Sequence, residues 1–411
     1  MAFSLTFDYQ GSQNMSLTIC MVTNNYTPYS GGVVSSIKSL TDALRRQGHR
    51  VVIITLDFKG AETEDDVERV YCAGHFTYKN NPMTIPVGMR YQLRKLFCTY
   101  KPDIVHVHHP FLLGQAANIV ARNLSIPVVF MHHSLYEQYV HYVPIPTWIT
   151  RPMVRRIVRR FCNAVDRVIV PTPSIEHHLQ SAAVTTPISV VPSGILSLFT
   201  PTKKGEDVLN RARRKQCRLL TVSRFAREKN IPWLLSMTKS LIDETPCFTL
   251  ELIGYGAELS ALQQYAYHTL GLSRQEVIFT ERPSKQYLLN AYRDADIFVF
   301  ASQTETQGLV LAEAMSQATP VIALEATGVD DIVVDGVNGY RVSNKDAMVK
   351  RINELASDPT LYRQVSNGAY ETSRDYVPHH IAVRICEVYK KLLRQPKHDI
   401  SSESTENTDS R

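Results

Sequence analysis

The segment Phe300-Ala-Ser-Gln-Thr-Glu305-Thr-Gln-Gly308-Leu-Val-Leu-Ala-Glu313-Ala-Met carries two carboxylates eight positions apart. It follows an apolar run, Ile297–Phe300, that reads as a strand. Glu305 therefore falls in the loop at the strand's carboxyl end, where doubly wound sheets bind ligands. Gly308 opens a helix whose first-turn N–H groups have no intrahelical partners and form a ready anion site. Glu313 lies about a turn and a half into that helix, so both carboxylates can face one small polar molecule. Carboxylate oxygens accept hydrogen bonds from paired hydroxyls, which suits a sugar or a ribose. By spacing alone, Glu305 as a neighbour of a helix start and Glu313 as a solvated helix residue is an equally good reading.

Histidines form a second group: His106-Val-His108-His109 and His132-His133. His106 and His108 share one face of a strand, and a third metal ligand from His133 is conceivable. No carboxylate accompanies them at ligand spacing, so polar lining of a cleft is the favoured reading and no metal site is expected. Gly31-Gly32 precedes the first long helix, where glycine permits close backbone approach and the helix dipole favours an anion. There is no G-x-G-x-x-G, so a nicotinamide or flavin site is not supported.

The third group is cationic. In the stretch from Thr150 to Val165, Arg151, Arg155, Arg156, Arg159 and Arg160 fall on one side of a helix. Met153, Val154, Ile157, Val158, Phe161 and Val165 fall on the other. Just before it stand Tyr139, Tyr142 and Trp148, residues that prefer membrane interfaces. A basic amphipathic helix beside such a segment fits attachment to an anionic lipid surface. The plainer alternative is a domain-surface helix with its arginines in water, and both can hold at once. The charge balance agrees with a surface field. Of 411 residues with net charge +6, the first 200 carry 18 Lys and Arg against 12 Asp and Glu, whereas the rest are balanced. That one-sided field attracts phosphate-bearing partners: nucleic acid, nucleotide or anionic lipid.

These groups need elements to hold them. Leu17–Val22, Val51–Leu56, Ile104–Val107, Pro127–Met131, Arg167–Val170 and Ile188–Val191 read as strands, with helical spacing over Val33–Gln47. Arg218–Val222, Phe248–Ile253, Val277–Phe279, Ile297–Phe300 and Pro320–Ala323 repeat the alternation. Apolar strands separated by helices make parallel sheets covered on both faces. The expectation is an α/β chain of two Rossmann-like, doubly wound domains facing across a cleft. Its parts are an extension (1–15), a first domain (16–198), a second domain (199–377), a helix (378–394) and a polar, disordered tail (395–411). The turn-rich stretch Pro192–Glu206 is the boundary. No apolar stretch reaches the ~20 residues of a spanning helix. The start lacks a secretory h-region. Seven scattered cysteines without C-x-x-C argue against a disulfide framework or structural zinc, so the chain reads as cytosolic.

The Glu305–Glu313 window resembles the signature of glycosyltransferase family 4, a Glu, seven residues and a Glu within S-x-x-E-G-F-G-x-x-x-x-E-A-M. Other pieces fall in the family's order: Gly31-Gly32, His133, Arg224 and Lys229 within S-R-x-x-x-E-K-N, Gly254 and Gly256 in I-G-Y-G, and Gly336-Val-Asn-Gly339-Tyr. The likeness spans residues ~16–390. Thr306-Gln307 replaces the usual Gly-Phe, and T-E-T-Q-G looks like the diacylglycerol glucosyltransferases of the family. So do P-D-I-V-H at 102–106 and the segment His133–Tyr142.

The resemblance implies a GT-B fold and a retaining hexosyltransferase. It would move glucose from UDP-glucose to a membrane lipid hydroxyl such as that of diacylglycerol. The alternatives are a mannosyl- or N-acetylglucosaminyltransferase acting on another lipid or glycan, and a non-catalytic nucleotide-sugar-binding protein. By resemblance, His133, Arg224, Lys229 and Glu305 are catalytic. Glu305 holds donor-sugar hydroxyls, while Arg224 and Lys229 neutralise the leaving diphosphate in place of a metal. Gly32, Gly254, Gln307, Gly308, Leu309 and Glu313 bind the donor, with Glu313 on the ribose. His109 is a weaker cleft residue. Arg151, Arg155, Arg156, Arg159, Arg160 and Trp148 face the membrane. The implied partners are a nucleotide sugar, a lipid acceptor and an anionic membrane surface, with no nucleic acid and no cofactor. The implied place is cytoplasmic, peripheral on the inner face of the membrane. A carboxylate nucleophile of the glycosidase kind is not evident. Front-face attack assisted by the leaving phosphate is the route the resemblance implies.

Overall fold

The apolar runs become the inner strands of two parallel sheets, and the helical patterns cover both faces of each. The computed structural model describes residues 16–28, 31–78, 81–138, 140, 146–200, 216–245 and 247–394. The expected extension 1–15, the tail 395–411, and Tyr139 and Tyr142 of the aromatic run lie outside them. The first half runs β1 (Thr18–Val22), α1 (Gly32–Arg46), β2 (Arg50–Leu56), β3 (Val67–Val70), β4 (Cys72–Tyr78), β5 (Asn81–Pro86) and α2 (Met89–Tyr100). It continues through β6 (Ile104–Val107), α3 (Leu113–Asn123), β7 (Val128–Met131), α4 (Thr147–Cys162), β8 (Arg167–Val170), α5 (Pro173–Ser181) and β9 (Ile188–Val190). The second half runs β10 (Cys217–Arg224), α6 (Ile231–Glu244), β11 (Phe248–Tyr255), α7 (Leu259–Gln264), β12 (Val277–Glu281), α8 (Lys285–Asp294) and β13 (Ile297–Phe300). Then come α9 (Leu309–Ser316), β14 (Val321–Leu324), β15 (Gly339–Val342), α10 (Lys345–Ser357), α11 (Pro359–Ser373) and α12 (Pro378–Leu393).

The first sheet has the order β3-β2-β1-β6-β7-β8-β9 and the second β12-β11-β10-β13-β14-β15. All neighbours within each are parallel. The order reverses between β1 and β6 in one sheet and between β10 and β13 in the other. Loops after those strands splay apart and leave a crevice, the usual ligand position of such sheets. Gly31-Gly32 and His108-His109 follow the first pair; Arg224 to Lys229 and Ala301 to Gly308 follow the second.

Each sheet is buried on both faces by apolar clusters. The last helix crosses back: Ile381, Ile385, Tyr389 and Leu392 of α12 pack with Ile37, Leu44 and Val51 of the first domain. At roughly 1.5–3 kcal/mol for each fully buried large apolar side chain, this contact ties the chain's end to its beginning. The helix read from the sequence as a separate unit is thus a layer of the first domain.

Three features depart from the sequence reading. The antiparallel hairpin β4–β5 stands outside the main sheets, and its apolar Phe76, Met83 and Ile85 are exposed. Its sequence therefore has neither the continuous apolar run nor the clean alternation that marks a strand. The four-residue β3 and β15 are interrupted by charge (Glu68 and Arg69; Arg341) and were equally silent. Helix α4 begins at Thr147 rather than Thr150, which draws Trp148 and Ile149 into its first turn.

Candidate active site

The second domain contributes a wall of paired charges. Strand β10 ends at Arg224, and the short turn Arg227–Lys229 follows it. The Lys229 ammonium forms an ion pair with the Glu305 carboxylate, their side chains only 12% and 15% exposed. Its nitrogen also lies 3.4 Å from Ser302 Oγ. Arg224 donates to Glu228 at 3.0 Å and keeps 44% of its side chain exposed. The two loops are stitched together by the Gln303 N–H donating to the Glu228 carbonyl at 3.0 Å. Gly308 has φ +75°, the left-handed conformation that turns the chain into α9. Gly328, at φ +81°, lets a turn pack on the loop, since a Cβ there would lie 2.7 Å from the Glu305 carbonyl oxygen.

Glu313 is not a solvated helix residue. It is buried, and the hydroxyl of the fully buried Tyr292 donates to it at 2.8 Å. Burial pushes its pKa up to about 7, with the Tyr292 hydrogen bond acting the other way. A carboxylate half-protonated near neutral pH is poised to gain a partner that donates hydrogen bonds.

The first domain contributes a wall of neutral imidazoles. His106 and His108, on one face of β6 and its extension, are fully buried and stack at 4.4 Å. The Tyr389 hydroxyl lies 2.6 Å from His106 Nδ1. His108 Nδ1 is 2.8 Å from His133 Nε2, so one of the two rings carries the shared proton. His109 Nδ1 accepts from the Asn24 N–H at 3.3 Å and lies 3.1 Å from Thr23 Oγ1. Burial lowers every one of these histidines: His106 to about 3, His109 and His132 to about 4, and His108 and His133 well below the usual value. Among the described residues no group of three or more His, Cys, Asp or Glu is arranged to hold a metal ion.

The structure thus brings together Lys229 with Glu305, and Arg224 with the loop beside them. Gly308 and Leu309 lie at the start of α9, and Gly32 opens α1 with no atom near the place of its missing Cβ. Other expectations change. The Gln307 amide is committed to the backbone of Ser193 at 2.8 and 3.0 Å, so its side chain is not offered to a donor. Gly254 is glycine because a Cβ would fall 1.8 Å from the Ser223 carbonyl oxygen on the neighbouring strand, a packing requirement independent of any ligand. Arg155 is partly engaged by Glu137 at 3.9 Å, which His178 also meets at 3.0 Å. Arg151, Arg156, Arg159 and Arg160 are exposed as expected. Sequence reasoning missed Glu228, Tyr292 and Gly328. The φ-positive glycine and the Glu228 inside E-K-N left a trace in the sequence; Tyr292 left none.

Two family models cover the chain in succession: Glycosyltransferase Family 4 over residues 30–195 and Glycosyl transferases group 1 over 207–372. An alpha-monoglucosyldiacylglycerol synthase of Streptococcus pneumoniae is 31% identical over 378 residues, 87% of this chain and 83% of that protein. The chain is a family 4 glycosyltransferase. The synthase of the same name from Acholeplasma laidlawii is 26% identical over 90% of this chain and 95% of its own length. Anabaena HepE, solved with UDP-glucose, matches with a TM-score of 0.70 at 17% identity, covering 91% of this chain and all of that one. The two facing sheets are therefore the GT-B fold of this glycosyltransferase family.

Proposed function

We propose that this glycosyltransferase transfers glucose from UDP-glucose, with retention, to the hydroxyl of a membrane lipid such as diacylglycerol. The observation that carries the reading is the Lys229–Glu305 pair beside Arg224 at the crevice of the second sheet. Glu305 accepts from sugar hydroxyls, and Glu313 from the ribose. The N–H groups at Gly308 and Leu309 and the two cations receive the diphosphate. As the C1–O bond to the phosphate breaks, negative charge grows on the leaving oxygen, and Lys229 and Arg224 stabilise it. That is work a divalent ion does elsewhere, and the chemistry is expected to need no metal. The acceptor oxygen bonds to C1 on the face the phosphate leaves, and its proton passes to the phosphate oxygen. His133, neutral at working pH, lines the reaction centre as a hydrogen-bonding group rather than a charge.

The first domain supports a lipid acceptor at a membrane surface. Helices α2, α3 and α4 share one face of the first sheet, and their N-termini point to its carboxyl edge. There Tyr91 (76%), Trp148 (77%), Ile149 and Met153 are exposed among arginines. A groove of about 430 Å³ between α2 and α3 is lined by Met89, Arg90, Tyr91, Leu112, Gln115 and Ile119, mostly apolar with one cation and one amide. Apolar anchors ringed by arginines suit an anionic bilayer on the cytoplasmic side. Among the described residues no helix is long and apolar enough to cross a membrane.

The test is a donor panel. The protein is incubated with UDP-glucose, UDP-galactose, UDP-N-acetylglucosamine or GDP-mannose and vesicles containing diacylglycerol, and the glycolipid is identified by mass and anomeric proton coupling. An α-glucosyl lipid from UDP-glucose is expected. A β-linked product, or transfer from GDP-mannose alone, overturns the corresponding part of the proposal.

A further inference from the structure

The pair Thr306-Gln307 sits between Glu305 and Gly308, and it reaches across the cleft. Thr306 Oγ1 donates to the His133 carbonyl at 2.8 Å. The Thr306 carbonyl in turn accepts from Thr172 Oγ1 at 3.2 Å. Gln307 meets one residue twice: its Oε1 accepts from the Ser193 N–H at 2.8 Å, and its Nε2 donates to the Ser193 carbonyl at 3.0 Å. Gln307 and Ser193 are 3% and 5% exposed, so these bonds are shielded from water. Thr172 and His133 follow β8 and β7 of the first sheet, and Ser193 follows β9. Two first-domain loops, and the stretch that connects the domains at Ser193, are thus held by two adjacent residues of the loop that carries Glu305.

We infer that Thr306 and Gln307 are positioning residues: a clasp that holds the two domains closed and sets Glu305 against His133 before the donor arrives. The Gly-Phe of the family signature lacks both a hydroxyl and a side-chain amide, and neither residue can make these bonds. The clasp acts through His133, which is fixed twice, by its carbonyl to Thr306 and by its ring to His108 at 2.8 Å. Opening the cleft would strip the Thr306 hydroxyl and carbonyl of their part-buried partners at His133 and Thr172, while Gln307 anchors the same loop to the connecting stretch, so the closed arrangement is the favoured one. A protein that spends part of its time open binds its ligand more weakly by the closed fraction. Loss of the clasp therefore raises the donor KM, while bound donor still draws the domains together and kcat falls less.

This inference rests on the transferase reading for its kinetic arm only. The experiment compares the full chain with Thr306→Val, Thr306→Ser and the double variant Thr306→Val/Gln307→Leu. Small-angle scattering without ligand gives the radius of gyration, and initial rates over a UDP-glucose series give KM and kcat. The expected result is a larger radius for the double variant, a donor KM raised about tenfold with kcat within about threefold, and recovery in Thr306→Ser. An unchanged radius together with an unchanged KM overturns the clasp. So does a Thr306→Ser variant as impaired as Thr306→Val. If the double variant does not fold, the near-isosteric Thr306→Val decides, with a KM raised severalfold expected and an unchanged KM contradictory. If the parent protein transfers from no nucleotide sugar, the function proposal fails and the scattering arm alone decides the clasp.

Discussion

The two walls of the cleft solve opposite electrostatic problems. On the second domain the ionisable groups are paired and, except for the half-exposed Arg224, largely shielded: Lys229 with Glu305, and Arg224 with Glu228. On the first domain five histidines, three buried and two partly so, are driven neutral, and ring hydrogen bonds rather than charges fix four of them. In the proposed reaction the charged wall would hold cations for a departing diphosphate. In the same reading the histidine wall would offer neutral hydrogen bonding to a hydroxyl acceptor. The contrast comes from position: the charged residues sit on loops at the crevice, whereas His106 and His108 are in or beside an inner strand, where an unpaired charge is costly.

The sharpest way to break this contrast is to discharge the second wall. Lys229→Ala is expected to lower kcat by about 10²–10³-fold, with circular dichroism unchanged; turnover within tenfold of the parent would remove Lys229 from the chemistry. On the outer face of the first domain, replacing Arg156, Arg159 and Arg160 with Ser should weaken binding to anionic vesicles. At about 1 kcal/mol per arginine the loss is on the order of 100-fold. Transfer to a soluble acceptor should change little, and unaltered vesicle partition would refute the membrane face.

Glu313 sharpens the contrast by titration. If Glu313 holds the ribose as proposed, its carboxyl, raised by burial to about 7, must be ionised to accept from both hydroxyls. Donor affinity is therefore expected to rise with pH up to about 7, by at most about tenfold per unit. Glu313→Gln should flatten that slope, and a slope that persists would assign it to another group. A separate test is on stability. The first wall's histidines titrate below their unfolded value near 6.5, so the unfolded chain binds more protons. Stability should fall as pH drops through 6.5 towards 4. The thermal midpoint should decline over that window by a few degrees per kcal/mol lost, and less so in His106→Gln. Glu313 acts in the other direction between about 4.5 and 7, so a flat profile across pH 6.5–4 would mean that the histidines do not govern stability there.

Much of this was legible from the sequence, for identifiable reasons. Inner strands such as Ile104–Val107 and Ile297–Phe300 are buried on both sides, and their apolar runs declare them. Glu305 was readable because strand, loop and glycine-opened helix follow in order. What stayed hidden depends on contacts distant along the chain. Tyr292 meets Glu313 from a different helix, Gln307 meets Ser193 across 114 positions, and α12 returns to a sheet begun more than 350 residues earlier. No local pattern encodes such meetings. The hairpin β4–β5 was missed for the converse reason, since its apolar side chains face outward.

The central claim is that both carboxylates and the Lys229 ammonium grip one nucleotide sugar. Titration calorimetry of UDP-glucose against the parent protein, Lys229→Met, Glu305→Gln and Glu313→Gln tests it without needing an acceptor. Affinity is expected to drop about tenfold or more in each variant. Parent-like affinity in all three would contradict the site.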